Sequence, residues 1–196
     1  MTKRLLDFSI AFLALVVLGC LIILFLIVSM IETKSMGLFY QKRVGRHEKN
    51  FTIFKIKTLN HITKQPTIFG KFLRKYKLDE LPQLINILNG TMSFVGPRPD
   101  ISGYADKLMG DDRVILNVRP GVTGLASIKY RNEEYLLAQQ TNPLAYNDNI
   151  IWPDKVRINK WYAENHTLLI DIKILWYTII PVLLNIEQFM VKNSKF

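Results

Sequence analysis

Two adjacent carboxylates, Asp79 and Glu80, lie in the run Leu78-Asp79-Glu80-Leu81-Pro82-Gln83, with arginines on both sides in sequence. Arg74, Lys75 and Lys77 come just before them. Arg98 and Arg119 follow, in Gly96-Pro97-Arg98-Pro99 and Arg119-Pro120-Gly121, where proline stiffens the backbone that aims each guanidinium. Arginine grips phosphate oxygens in a two-pronged fork. Magnesium is commonly held by one or two carboxylates together with substrate phosphates. The set therefore suits an anionic, metal-bound substrate such as a nucleotide diphosphate. A plainer reading stays open beside it. Asp79 could be the N-cap of a helix carrying Pro82 in its first turn, and adjacent acids on a helix diverge by about 100°.

The elements that must carry these groups can be read from patterning. Leu38 to Arg43 and Phe51 to Thr58 read as two short strands around a polar turn containing Gly45, His47 and Asn50. On the second strand Lys55 and Lys57 share a face, as a solvated edge or as phosphate contacts. Ile68 to Lys77 reads as an amphipathic helix, with Phe69, Phe72, Leu73 and Tyr76 set against Lys71, Arg74, Lys75 and Lys77. That is the pattern of a helix lying on a membrane surface, or of an ordinary surface helix.

Pro82 to Leu88 reads as a helix ended by Asn89-Gly90. Gly103 to Val114 is predicted to be partly helical, Arg119 to Gly124 a stiff turn, Ser127 to Tyr130 a strand, and Asn132 to Tyr146 a helix. Another helix should start at Trp152-Pro153 and run through Trp161. Leu168 to Leu184 is apolar but interrupted by Asp171, Lys173 and Pro181, so it reads as a core or interface helix.

Phe8 to Ile31 holds 24 residues without a charge. As a helix this is about 36 Å long, enough to cross a hydrocarbon core of about 30 Å. Its core is too long for a cleaved leader, and Met30-Ile31-Glu32-Thr33 is no small-residue cleavage site. Lys3 and Arg4 precede the run, and Lys34, Lys42, Arg43, Arg46 and Lys49 follow it. Positive charge at both ends leaves two topologies open, a plain span or a re-entrant hairpin with Gly19 as its weak point.

The chain of 196 residues suits one compact domain plus that anchor. A net charge of +10 implies an anionic partner. Its basic residues are dispersed and no nucleic-acid motif appears, so phosphorylated substrates and an anionic membrane face are expected rather than nucleic acid. Cys20 is the single cysteine, which excludes an internal disulfide. His47, His61 and His166 lack metal-ligand spacing, and no zinc site is expected.

Taken in order, the motifs resemble the monotopic phosphoglycosyl transferases, the bacterial sugar transferase family. The resemblance rests on Lys3-Arg4-Leu5-Leu6-Asp7, Phe54-Lys55-Ile56-Lys57-Thr58, Leu78 to Gln83, Met92 to Pro99, Val118 to Gly124 and Leu169-Ile170-Asp171-Ile172-Lys173-Ile174. It implies an α+β, predominantly helical fold: a membrane helix over residues 1–34, re-entrant or spanning, and a catalytic domain over 35–196 with short strands and interfacial amphipathic helices.

It also implies an enzyme of the bacterial cytoplasmic membrane whose catalytic domain faces the cytoplasm. UDP-sugar would be the donor, polyprenyl phosphate the acceptor and Mg2+ the cofactor; separately, the apolar tail could serve a homodimer. Asp79 would be the nucleophile that carries the phosphosugar, and Glu80 would help to hold the metal with Asp79 or activate the acceptor. Arg74 would lie near the acceptor phosphate, Arg98 and Arg119 near the nucleotide's phosphates, and Lys57 would be a further phosphate contact.

The chain departs from the family in several places. Gly19-Cys20 replaces the usual Ser-Pro of the apolar segment, Thr91 replaces an acid before Met92-Ser93-Phe94, and Leu125 to Asn132 differs from the common form. The connection between Thr58 and Ile68 is also short. Thr91 and that short connection make a non-catalytic membrane scaffold of a glycan assembly complex the alternative.

Overall fold

The charge-free run forms the body of one long helix, α1 (Thr2–Thr33). A computed structural model describes residues 2–180 and 184–194. Helix α1 passes through Gly19 and Cys20 without interruption, and at 1.5 Å per residue it is about 48 Å long. Only Asp7, Ala11, Ile22, Ser29 and Thr33 are buried along it, while Phe12, Leu13, Val16, Val17, Ile23, Leu24 and Ile27 are exposed. A core helix of a soluble protein would bury such a face. This one is shaped for hydrocarbon contact and could anchor the chain in a membrane.

The chain packs as two compact units, residues 1–43 with 50–93 and residues 44–49 with 94–196. The first holds α1, most of β1 (Leu38–Val44), β2 (Asn50–Ile56), α2 (Ile68–Lys75) and α3 (Gln83–Leu88). Strands β1 and β2 pair as a two-stranded sheet. Thr67 caps α2 by accepting from Gly70 N, and the same helix start is capped from α1, where Glu32 Oε2 accepts from Phe69 N. Phe25 of α1 meets Phe69 edge to face, 5.4 Å between ring centres. Ile53, Ile56, Leu73, Ile87 and Met92 supply the buried apolar side chains.

The second unit contains β4 (Gly121–Thr123), α4 (Leu125–Lys129), α5 (Glu133–Ala138), α6 (Pro143–Tyr146), α7 (Trp152–Asn165), α8 (Leu168–Ile179) and α9 (Ile186–Asn193). β4 pairs with β3 (Ser93–Val95). Val95, Leu125, Ile158, Tyr162, Ile174 and Phe189 sit in one core, and Val44, Leu108, Ile115 and Val156 in another. Thr167 and Asn185 cap α8 and α9 through Ile170 N and Gln188 N. Tyr162 Oη donates to Asp171 Oδ1 at 2.7 Å and lies 3.1 Å from the Val95 carbonyl, which ties β3 to α7 and α8.

The structure is 62% helical with few, short strands, as the α+β expectation required. Three local expectations need correction. Ser127 to Lys129 is part of helix α4, not of a strand, because Leu125 and Ala126 are buried and turn that segment onto the core. The expected helix over Asn132 to Tyr146 is two helices, broken where Asn142 caps α6 ahead of Pro143. Helix α7 continues past Trp161 to Asn165. Of the expected apolar helix Leu168 to Leu184, residues 168–179 are helical and 181–183 lie outside the described residues.

Candidate active site

Asp79 and Glu80 occupy a single 3₁₀ turn, Leu78–Glu80, between α2 and α3. The chain enters through Lys77 in the left-handed conformation, φ 57° and ψ 23°, a cost a non-glycine residue accepts only where its surroundings impose it. Lys77 N donates to Arg74 O at 3.2 Å, so the end of α2 sets the start of the turn. Asp79 is therefore not a helix cap. Pro82 takes that position before α3, and Asp79 is free of capping duty.

Both acids are buried, Asp79 at 9% and Glu80 at 6% exposure, and their side chains have different surroundings. Glu80 Oε1 pairs with Lys55 Nζ of β2 at 2.8 Å. Asp79 Oδ1 has no hydrogen-bond partner. Burial pushes the Asp79 carboxyl above the usual carboxylate range, and the charge of Glu80 pushes it further; Lys55 and Lys77 pull the other way. A buried acceptor oxygen without a donor is costly, on the order of 1–3 kcal/mol, and such a group calls for a functional account.

Arg74 is in the last turn of α2, half-buried, three residues before Lys77. The Lys57 ammonium points elsewhere: Nζ donates to Ser35 Oγ at 2.7 Å, where the chain leaves α1. Lys55, two positions earlier, is the strand lysine that meets the acids. The sequence placed both on one face; which one met a carboxylate depended on the position of the turn at residue 80.

Arg98 and Arg119 belong to the second unit, and there the structure brings their turns together. Gly96 N donates to Thr123 O at 2.9 Å and Gly121 N to Pro97 O at 2.8 Å. A Cβ at Gly96 would fall 2.3 Å from Arg119 O, and one at Gly121 2.1 Å from Gly96 N. Only glycine permits this approach. Two turns that look separate in sequence thus form one clamp, with Arg98 exposed and Arg119 half-buried on it. Gly96 and Gly121 are close-packing positions whose pairing the sequence reading passed over; a glycine beside a proline in both turns was their signal.

Thr91, the departure from an acid, is used locally: its hydroxyl donates to Asn86 O at 3.1 Å and lies 2.8 Å from Asn89 Oδ1. Asn86 in turn reaches β2, with Nδ2 to Thr52 O at 2.7 Å and Phe54 N to Oδ1 at 3.3 Å. Among the described residues no three His, Cys, Asp or Glu side chains cluster as a metal cage. A cavity of about 610 Å³ in the second unit is lined by His47, Glu48, Arg113, Asn117 and Glu164 among others, with none of the six expected site residues.

The description "Bacterial sugar transferase" matches residues 1–185. The chain belongs to that family. An uncharacterized sugar transferase, EpsL, of Bacillus subtilis is 32% identical over 193 residues, covering 93% of this chain and 88% of the relative. The undecaprenyl-phosphate galactose phosphotransferase of Salmonella typhimurium is 31% identical over 169 residues, 72% of this chain but 32% of its own length. The UDP-glucose:undecaprenyl-phosphate glucose-1-phosphate transferase of Klebsiella pneumoniae is 30% identical over 201 residues, 93% of this chain and 40% of the relative. The chain thus spans most of the Bacillus relative and well under half of the other two. The Salmonella and Klebsiella relatives are both named for transfer of a sugar phosphate to undecaprenyl phosphate.

Proposed function

We propose that the chain transfers a phosphosugar from a UDP-sugar to polyprenyl phosphate, by way of a covalent intermediate on Asp79, and so begins glycan assembly at the bacterial cytoplasmic membrane. The observation that carries this reading is the bare, buried Oδ1 of Asp79 beside an acid that is already paired. Unsolvated carboxylate oxygen is the more reactive nucleophile, and aspartyl phosphates are established covalent intermediates.

In the first step Asp79 Oδ1 attacks the β-phosphorus of the donor. The bond from that phosphorus to the bridging oxygen breaks, and UMP departs with the bridging oxygen and its electron pair. In the second step a phosphate oxygen of the polyprenyl acceptor attacks the same phosphorus. The Asp79–phosphorus bond breaks, the carboxylate is regenerated, and the product is a polyprenyl diphosphosugar. Lys55 holds Glu80, which keeps that side chain fixed beside the nucleophile. Arg74 is assigned to the acceptor phosphate, Arg98 and Arg119 to the nucleotide's phosphates. Lys57, bonded to Ser35, is left a role at the exit of α1.

The donor set fits Mg2+: the Asp79 carboxylate, which has a second oxygen besides the orphaned Oδ1, and the neighbouring Glu80 carboxylate are the hard ligands that ion takes together with substrate phosphates. When bound, it would screen the phosphate charge that repels a carboxylate nucleophile.

Both ends of α1 are tied to the first unit. Arg4 Nη1 and Nη2 donate to Ile87 O and Leu88 O, and Ser29 Oγ donates to Lys57 O. A plain span would put about 30 Å of hydrocarbon between these attachments. A helix that enters and leaves through one leaflet, with the domain on the cytoplasmic side, satisfies both. The scaffold alternative drew on Thr91 and on the short connection between Thr58 and Ile68; of these, Thr91 has a local structural job through its hydroxyl bond to Asn86 O.

The test is release of UMP by membranes carrying the chain, given a panel of UDP-sugars, Mg2+ and polyprenyl phosphate. Turnover with at least one sugar is expected. No release with any of them, alongside retained binding to partner transferases, would favour the scaffold.

A further inference from the structure

Arg4 stands one turn before the apolar body of α1 and makes two of its longest-range contacts. Its guanidinium donates through Nη1 to Ile87 O at 2.5 Å and through Nη2 to Leu88 O at 2.8 Å. Those carbonyls are at the C-terminal end of α3, where Ile87 O also accepts from Gly90 N at 3.1 Å and the helix dipole favours a cation. Gly90, at φ 84°, makes room for the fork: a Cβ there would be 3.3 Å from Nη2.

Helix α3 is continuous with the acidic turn through the backbone. Glu80 N bonds Lys77 O, Leu81 N bonds Leu78 O, Leu84 N bonds Leu81 O and Ile85 N bonds Pro82 O. One hydrogen-bonded ladder therefore runs from Lys77 to the end of α3, with the acids at its start and Arg4 at its finish.

We infer that Arg4 is a positioning residue: by clamping the far end of this ladder it holds the Asp79–Glu80 turn in register with the membrane-embedded α1. Bilayer insertion and the geometry of the acids are then coupled through one side chain. A cation serving only the membrane flank would need no particular partner, whereas this one makes two directed bonds 83 and 84 residues along the chain. The inference rests on the transferase reading for its kinetic arm alone.

The experiment compares Arg4→Met, Arg4→Lys and Lys3→Met in the full chain in bilayer discs, by hydrogen exchange and by turnover. Arg4→Met is expected to speed exchange several-fold across residues 77–88 and to lower kcat about 10- to 100-fold, with KM for the UDP-sugar changed less than about twofold. Arg4→Lys should recover part of both effects, since an ammonium lacks the fixed fork that engages two carbonyls together. Lys3→Met removes an equal charge from the same flank and should leave both readouts near wild type.

Unchanged exchange over 77–88 in Arg4→Met would overturn the inference. So would an equal effect from Lys3→Met, or faster exchange spread evenly over the whole chain. Exchange reads the clamp whether or not a UDP-sugar is turned over, so an inactive wild type would count against the transferase reading alone.

Discussion

At the scale of single residues, the acids divide their labour. Burial and the charge of Glu80 disfavour the ionised form of Asp79, and the direction of its titration follows. Its folded-state carboxyl binds a proton more tightly than the unfolded chain does, so the ionised form costs stability. That cost is absent below the unfolded carboxylate range and grows as pH rises through the folded value. Asp79→Asn should therefore raise the thermal midpoint at neutral pH, with the gain shrinking as pH falls toward the carboxylate range, while turnover drops about a thousandfold or more. Thermal melts across pH and UMP release check the two halves independently. Lys55→Met should act the other way, because it removes the ammonium that pairs with buried Glu80; with Lys55 at 17% exposure, a loss of about 2 kcal/mol is expected in chemical denaturation. Asp79 and Glu80 were legible from sequence by type and neighbourhood. Lys55 was not separable from Lys57, since residues two apart on a strand point the same way and only the three-dimensional position of Glu80 chooses between them.

At the scale of elements, the β3–β4 clamp carries the arginine-bearing turns. Gly121→Ala would drive a methyl into Gly96 N, and backbone on both sides cannot yield as a side chain would. A loss of about 2–3 kcal/mol is expected, together with a raised KM for the donor, measurable by denaturation and by initial rates. Helix α3, with its Asn89-Gly90 stop, and the starts of α2 and α7 could be read from sequence to within a residue or two. Short segments could not. Ser127-Ile128-Lys129 carries a strand-like local pattern, and the burial of Leu125 and Ala126 in the second unit's core decides it as helix. Pairing of the turns at Gly96 and Gly121, some 25 residues apart, leaves no local mark beyond the glycines themselves.

At the scale of the whole molecule, the length and apolarity of α1 were plain in the sequence, but its topology was not. Gly19-Cys20 neither breaks the helix nor explains how it sits in a bilayer. What bears on topology is where the flanking cation goes, and Arg4 goes to the end of α3. A cysteine placed at Thr2 should accordingly react with a membrane-impermeant maleimide only after the cytoplasmic face is opened. Labelling from the outer face would mean that α1 spans.

The account depends most on Asp79 becoming an acyl phosphate. Membranes given a competent UDP-sugar without acceptor, quenched in acid and digested, should yield the peptide around Leu78-Asp79-Glu80 heavier by one sugar phosphate, with the addition lost when polyprenyl phosphate is added before the quench. Wild-type turnover at full rate with no such adduct on that peptide would contradict the account.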